Sequence, residues 1–373
     1  MSTENIKNLS SNDLMKLVLQ RIATGPELSK NISREEAKLC MDAILNDEIE
    51  EVRTAIFLIA LRMKRETHDE NLGVHDSILA STKNHKVSVD NLINIADPYD
   101  GFTRNIPSSV FLLPVLAELG YPSFSHGVKC VGPKFGCTHN VILQLLGLDV
   151  NMSNEQASER LENKNIGWAY VDQSKFCPSL YNMMDLRNKI IKRPVIATIE
   201  VLAKPLTAKK NHFVTGYVHK AYPPIYLMLA RNAGFETAMT IRGTEGGIIP
   251  SLTQTGKIFS YKNIESDNQS IEFDPKKDLG INQEVRAVQI PENMNKSKTI
   301  DKVQSKIDPF DIAKETVKLG LDALSDKDGA MKDCIIYGSS IILQHITNDD
   351  IHVCVKTVKE VLKSKSATDR LKK

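Results

Sequence analysis

Long apolar runs are missing from this 373-residue sequence. No stretch approaches the roughly 20 apolar residues that cross a bilayer, so no membrane passage is expected. The first residues, MSTENIKNLSS, lack the apolar core of a secretory signal. The six cysteines (Cys40, Cys130, Cys137, Cys177, Cys334 and Cys354) contain no CxxC pair. A cytoplasmic protein with reduced thiols is therefore the simplest reading. A dominant charge is also missing. The formal net charge is +2, so no global field favours nucleic acid, although a local patch could still do so. Internal repeats and low-complexity tracts are absent.

Hydrophobic residues make up 41% of the chain and charged residues 25%, the balance of a globular protein. The length exceeds one average domain and predicts a large domain beside a smaller one. The first 75 residues or so read as helices. Apolar residues at 14, 15, 18, 19 and 22 form one stripe. Ser33 and Glu36 make a capping-box pattern ahead of Ala37, Cys40, Met41 and Ile44. The next helix, over 52–63, is apolar on most sides, which predicts burial between two domains or against another subunit. From about residue 91, short apolar runs alternate with helical stretches. Strands are expected over 92–95, near 123, over 213–218 and over 237–241, with helices over 108–119, 140–146 and 223–232. This alternation predicts βαβ units and a parallel sheet. Residues 292–307 are polar and read as a surface linker, and the last 65 or so return to helices.

Ligands of an open parallel sheet bind at the carboxyl ends of its strands. Three segments stand out there: 97–105 (DPYDGFTRN), 125–129 (SHGVK) and 242–247 (RGTEGG). All three are read as loops that follow strands.

The run SREEAKLCMDAILNDEIEEVRTAIFLIALRMKRET resembles the helical domain of anthranilate phosphoribosyltransferases and type II nucleoside phosphorylases. DGAMKDCIIYGSSIILQ resembles that family's late helix. FSHGVKCVGPKFG is similar to its lysine-histidine-glycine turn, and DLRNKIIKRP to its arginine-rich helix start. The resemblance runs over roughly residues 10–373, with the motifs in family order. It implies an α/β fold: a small all-helical domain (1–75, to which a later helix can return) plus a larger α/β domain (76–373) with a mainly parallel central sheet. It also implies a homodimer joined through the helical part, and a phosphorylated ribosyl or nucleotide ligand in the interdomain cleft.

The family's glycine-rich loop holds the diphosphate of phosphoribosyl pyrophosphate (PRPP) by backbone N–H groups, which glycine lets approach closely. Here the loop reads Asp97-Pro98-Tyr99-Asp100-Gly101. Pro98 has no N–H to donate, and Tyr99 adds a ring. The following Asn-Ile-Ser turn becomes Asn105-Ile106-Pro107, which removes a magnesium-binding hydroxyl or shifts it to Ser108. The carboxylate pair that binds magnesium in the family falls on Ile248 and Ile249, and isoleucine offers a hard cation no oxygen. Phosphoribosyl transfer and a magnesium ion stay open as readings, standard magnesium-dependent activity on anthranilate is not expected, and no residue is assigned a catalytic role. The DPxDG and GxEGG loops resemble a divergent paralogue branch of family 3 glycosyltransferases, some of whose members are held to bind nucleic acid.

By the same resemblance Arg187 faces the acceptor, and Cys177-Pro178 replaces a histidine-proline of the acceptor site. Phosphate binding falls to Asp100, Gly101, Arg104, Asn105, His126, Gly127, Lys129, Arg242 and Glu245. Arg104, Lys129, Lys134 and Arg242 could take phosphate directly in place of magnesium; the rival reading pairs such cations with Asp97, Asp100 and Glu245. Residues 187–210 hold Arg187, Lys189, Lys192, Arg193, Lys204, Lys209 and Lys210 against one acid, Glu200. They are candidates for an anionic partner, single- or double-stranded DNA included. The alternative function is accordingly a non-catalytic nucleic-acid-binding homodimer. Tyr217, His219, Tyr222 and Tyr226 suit either stacking on a ring or half-buried packing. His126, Cys130, Cys137 and His139 match no common zinc spacing. Nothing in the sequence sets His212 or His219 beside Cys177 as a base.

Overall fold

Among the described residues, four full helices span 11–81, and the starts of three of them are written in the sequence. The computed structural model describes residues 6–25 and 27–373. α1 (Ser11–Ile22) begins at Ser10, whose hydroxyl accepts from Asp13 N–H. α2 (Arg34–Leu45) carries the expected Ser33/Glu36 capping box, and α4 (His68–Ser81) has a second one from Thr67 and Glu70. Each box satisfies helix-end N–H groups that would otherwise lack partners. Between them runs α3 (Glu51–Lys64). The boundary expected at residue 75 falls inside α4, which continues to Ser81. Helices α2 and α4 pack so closely that a Cβ on Gly73 would lie 2.2 Å from the Arg34 carbonyl oxygen.

The chain then builds β1 (His85–Lys86), β2 (Asn91–Ala96), α5 (Leu112–Glu118), β3 (Ser123–Gly127), α6 (His139–Leu145), α7 (Asn154–Glu162) and β4 (Trp168–Asp172). Four short helices follow: α8 (Gln173–Phe176), α9 (Pro178–Tyr181), α10 (Met184–Ile190) and α11 (Ile196–Ile199). Next come β5 (Leu206–Thr207), β6 (Lys210–Gly216), α12 (Tyr222–Asn232), β7 (Thr237–Ile241), β8 (Gly256–Tyr261) and β9 (Gln269–Phe273). The last helices are α13 (Pro275–Leu279), α14 (Pro309–Leu324), α15 (Ala330–Thr347), α16 (Ile351–Ser364) and α17 (Ser366–Leu371).

The seven-stranded sheet has the order β4-β3-β2-β6-β7-β8-β9, and a separate parallel pair joins β1 to β5. The first five strands of that order are mutually parallel, while β8 and β9 are antiparallel. The sheet is therefore mainly parallel, with a hairpin at one edge that periodicity did not suggest. Side chains of a strand alternate between its faces. Leu92 and Ala96 accordingly join one apolar layer, and Ile93 and Ile95 the other. The first layer is shared with the opening helices: Met15, Met41, Phe57 and Leu61 pack in one cluster with Phe176, Val195, Ile199 and Leu202. The segment of short helices thus returns to the helical unit and closes the cleft between it and the sheet.

One sequence expectation changes at β3. Ser125, His126 and Gly127 lie within β3, not in a loop after it. Helix α3 buries Phe57, Leu58 and Leu61, yet Val52, Ile56 and Met63 are exposed on one face. Residues 292–307 form neither helix nor strand, and Ser305 N–H donates to the Lys134 carbonyl at 2.7 Å. Among the described residues no helix is long and apolar enough to cross a membrane.

Candidate functional site

A cavity of about 360 Å³ opens between α3, the carboxyl ends of β2, β6 and β7, and the returning segment. Its walls include Arg62 from α3, Tyr99 and Asp100 after β2, and Lys134 from the loop after β3. Arg187, Arg193, Thr198 and Glu200 come from the returning segment, Tyr217 and His219 follow β6, and Tyr222 and Tyr226 lie on α12. The four aromatic positions singled out in the sequence therefore all face one cavity.

The loops around this cavity are tied to one another. Glu245 accepts from Thr103 N–H and Oγ1 at 2.8 Å each, and from Arg104 N–H at 3.0 Å. The Lys134 ammonium donates to the Gly101 carbonyl at 2.6 Å and lies 3.4 Å from Asp100 and 3.7 Å from Glu245. Arg193 donates to Asp100 through Nε at 2.9 Å and through Nη2 at 2.5 Å. Asp97 accepts from Ser109, from His139 Nε2 at 3.1 Å and from Ile248 N–H at 3.2 Å. The glycines here serve close loop packing. A Cβ on Gly243 would lie 1.7 Å from the Gly247 carbonyl oxygen, and one on Gly101 would lie 2.6 Å from the Gly136 backbone.

This arrangement does not fit a magnesium ion held as the resemblance implies. Ile248 and Ile249 are buried in the apolar layer beneath the loops. The three carboxylates nearest that place, Asp97, Asp100 and Glu245, are already satisfied by cations, hydroxyls and backbone N–H groups. Magnesium needs near-octahedral oxygen ligation, and here an ammonium stands among the oxygens instead. Among the described residues, no group of three or more His, Cys, Asp or Glu side chains is placed to hold a metal ion.

Several sequence candidates move. His126 is buried against Phe124 and Phe176, and its Nδ1 meets the Tyr99 hydroxyl. Burial lowers its pKa to about 3, so it stands as a neutral imidazole in the core. Gly127 lies beside it in the strand. Arg104, Lys129 and Arg242 are exposed and lie outside the cavity wall. Asn105 bridges to Gln289 and lines a separate hollow. Of the proposed magnesium substitutes only Lys134 reaches the cavity, and it is paired internally. Cys177 is buried, which raises its thiol pKa. His212 bonds Thr237 and Asn91 at the opposite end of the sheet.

The basic stretch does not form one face. Arg187 is buried and gives both terminal nitrogens to Glu200, at 2.7 and 2.6 Å. Lys189 pairs with Glu51, Arg193 with Asp100 and Lys209 with Asp90. Lys204 turns inward to the carbonyls of Ala233 and Gly234. Lys192 is exposed and is not part of the cavity wall, whereas Lys210 starts β6. The length of that strand, roughly 20 Å, separates Lys209 and Lys210 from the cavity. Proximity in sequence was thus a poor guide to proximity in space. Sequence reading missed Arg62 and Thr198, and it treated Glu200 only as an exception. A lone acid inside a basic run was the available signal.

Residues 16–82 match the family described as "Glycosyl transferase family, helical bundle domain". The chain is 30% identical over 241 residues to an uncharacterized protein of Aquifex aeolicus, covering 64% of this chain and 71% of that one. It is 28% identical over 237 residues to the anthranilate phosphoribosyltransferase of Methanopyrus kandleri, covering 61% and 65%. The fold superposes on anthranilate phosphoribosyltransferase from Thermus thermophilus with TM-score 0.71 at 18% identity, covering 96% and 97% of the two chains. Against the Saccharomyces cerevisiae enzyme in complex with PRPP and Mg, the TM-score is 0.72 at 14% identity, covering 97% and 96%. By sequence and by fold, the chain belongs to the anthranilate phosphoribosyltransferase-like glycosyl transferase family.

Proposed function

We propose that this protein binds a nucleotide-type ligand, a planar ring carried on a phosphorylated ribosyl group, in the cleft between its helical unit and its sheet, without magnesium. The observation that carries this reading is the composition of the cavity wall. Four tyrosines (Tyr99, Tyr217, Tyr222 and Tyr226) and His219 line it together with Arg62 and Arg193. A cavity of this size, with aromatic walls and with charged groups that are paired within the protein, suits a small ligand with a flat body. Arg193, half exposed and held by Asp100 alone, can exchange that carboxylate for a phosphate, which offers the same bidentate geometry. The Methanopyrus kandleri relative is named as an anthranilate phosphoribosyltransferase, and one fold neighbour is described with PRPP and Mg. In this chain the residues that would stabilise a departing pyrophosphate through metal are replaced, so the transfer step loses its main electrostatic support. The reading is therefore of a family member that keeps the ligand cleft and has lost phosphoribosyl transfer to anthranilate.

The test is thermal unfolding with millimolar AMP, alongside an assay for phosphoribosyl anthranilate from PRPP, anthranilate and magnesium. AMP should raise the melting temperature by several degrees, and no product should form at high protein concentration. Steady product formation, or no response to AMP, overturns the reading. We further propose that two copies associate through α3. Its face of Val52, Ile56 and Met63 lies outside the cleft, and the resemblance implies a dimer through this part of the fold.

A further inference from the structure

We infer that the ring end of this cleft selects an uncharged ring bearing a carbonyl or ring nitrogen, and rejects a ring bearing a carboxylate, because Glu200 supplies that carboxylate from within the protein. The inference rests on the ligand-binding reading above. Arg187 and Glu200 both line the cavity, and each side chain is only 2% exposed. The two contacts, Nη1 to Oε2 at 2.7 Å and Nη2 to Oε1 at 2.6 Å, have the fork geometry in which an arginine takes a ligand's carboxylate. An entering carboxylate would find the end of that fork filled. It would also bring a second negative charge beside Glu200 in a desolvated place, where like charges repel strongly.

The pair is neutral as a unit but not fully satisfied. Arg187 Nε is buried and has no hydrogen-bond partner. An unpaired buried donor carries a desolvation penalty, which a neutral acceptor relieves without adding charge. Gln173 Nε2 also donates to Glu200 Oε2 at 3.3 Å, a second hold that keeps the carboxylate on Arg187. The remaining cations of the wall are each paired within the protein, and the one assigned to the ligand, Arg193, is taken by its phosphate. Arg62 lies 3.5 Å from Glu66, Lys134 lies between Asp100 and Glu245, and Arg193 lies on Asp100. Tyr217, Tyr222 and Tyr226 then offer flat walls to a ring.

Two probes of one shape decide the matter: 2-aminobenzamide, which is neutral, and anthranilate, its carboxylate counterpart. Calorimetric titration of the full-length protein should show the amide binding at least tenfold more tightly than the acid. In Glu200→Gln the internal negative charge is gone, and anthranilate should gain at least tenfold relative to the amide. If that variant does not fold, Arg187→Met combined with Glu200→Gln removes both charges, and the preference between the probes should fall below about threefold. Equal or tighter anthranilate binding by the unaltered protein overturns the inference, as does failure of both probes to bind. AMP is titrated in parallel. AMP binding without either probe sinks the ring selectivity and leaves the ligand reading standing, whereas loss of AMP binding as well sinks both.

Discussion

The carboxylate of Glu245 accepts from both the backbone N–H and the hydroxyl of Thr103, each at 2.8 Å, and so fastens the turn after β7 to the loop after β2. Glu245 does this from a left-handed backbone conformation, φ 56° and ψ 15°, which costs a non-glycine residue about 1 kcal/mol. Hydrogen bonds to a charged acceptor contribute roughly 1.5–3 kcal/mol each in such settings and are not additive. Glu245→Ala should therefore destabilise the protein by about 2–4 kcal/mol. Urea unfolding measures that loss, and hydrogen exchange at the Thr103 and Arg104 amides should accelerate selectively.

The Lys134 ammonium sits among Asp100, Glu245 and the Gly101 carbonyl. Removing it leaves two neighbouring carboxylates without their common cation, a loss of roughly 3 kcal/mol for a buried pair. Lys134→Met should unfold at lower urea than the unaltered protein. Millimolar magnesium should recover part of that loss in the variant only, because oxygens gathered around a missing cation suit a hard ion. An equal response in both proteins would count against this view of the loop.

Burial sets the acid limit of stability. Desolvation lowers the pKa of His75 and His212 to about 4 and that of His126 to about 3, and it lowers His345 well below its ordinary value. The unfolded chain takes up these protons near pH 6.5, whereas the folded chain resists them until far lower pH. Stability is thus fully present above about pH 6.5 and falls as the pH drops, by about 1.4 kcal/mol per histidine per pH unit. The urea midpoint should fall markedly between pH 7.5 and pH 5.

Much of this was legible beforehand, for identifiable reasons. The Ser33/Glu36 cap and the strand over 237–241 follow from local chemistry and period, and they stand where expected. The edge hairpin of β8 and β9 was not read, because β9 is exposed along most of its length and carries little apolar signal. Arg187, Glu200 and Lys134 could be named as charged groups, but their pairing depends on loops that meet only in three dimensions. The exposed face of α3 shows the same limit. An apolar helix can be identified in sequence, but not which of its faces the rest of the chain leaves uncovered.

That face gives the assembly prediction. Ile56→Glu combined with Met63→Lys places charge at two positions that are 41% and 77% exposed, so the fold itself should lose little. Light scattering after size exclusion should report a dimer for the unaltered protein and a monomer for the double variant. A monomer in both cases removes the proposed contact.

The central claim is a retained ligand cleft that works without magnesium. Its most direct test is calorimetric titration of AMP into the protein in parallel solutions, one with magnesium and one with EDTA. The account predicts the same dissociation constant in both, within about twofold. Binding that appears only with magnesium, or that tightens more than tenfold in its presence, would contradict it.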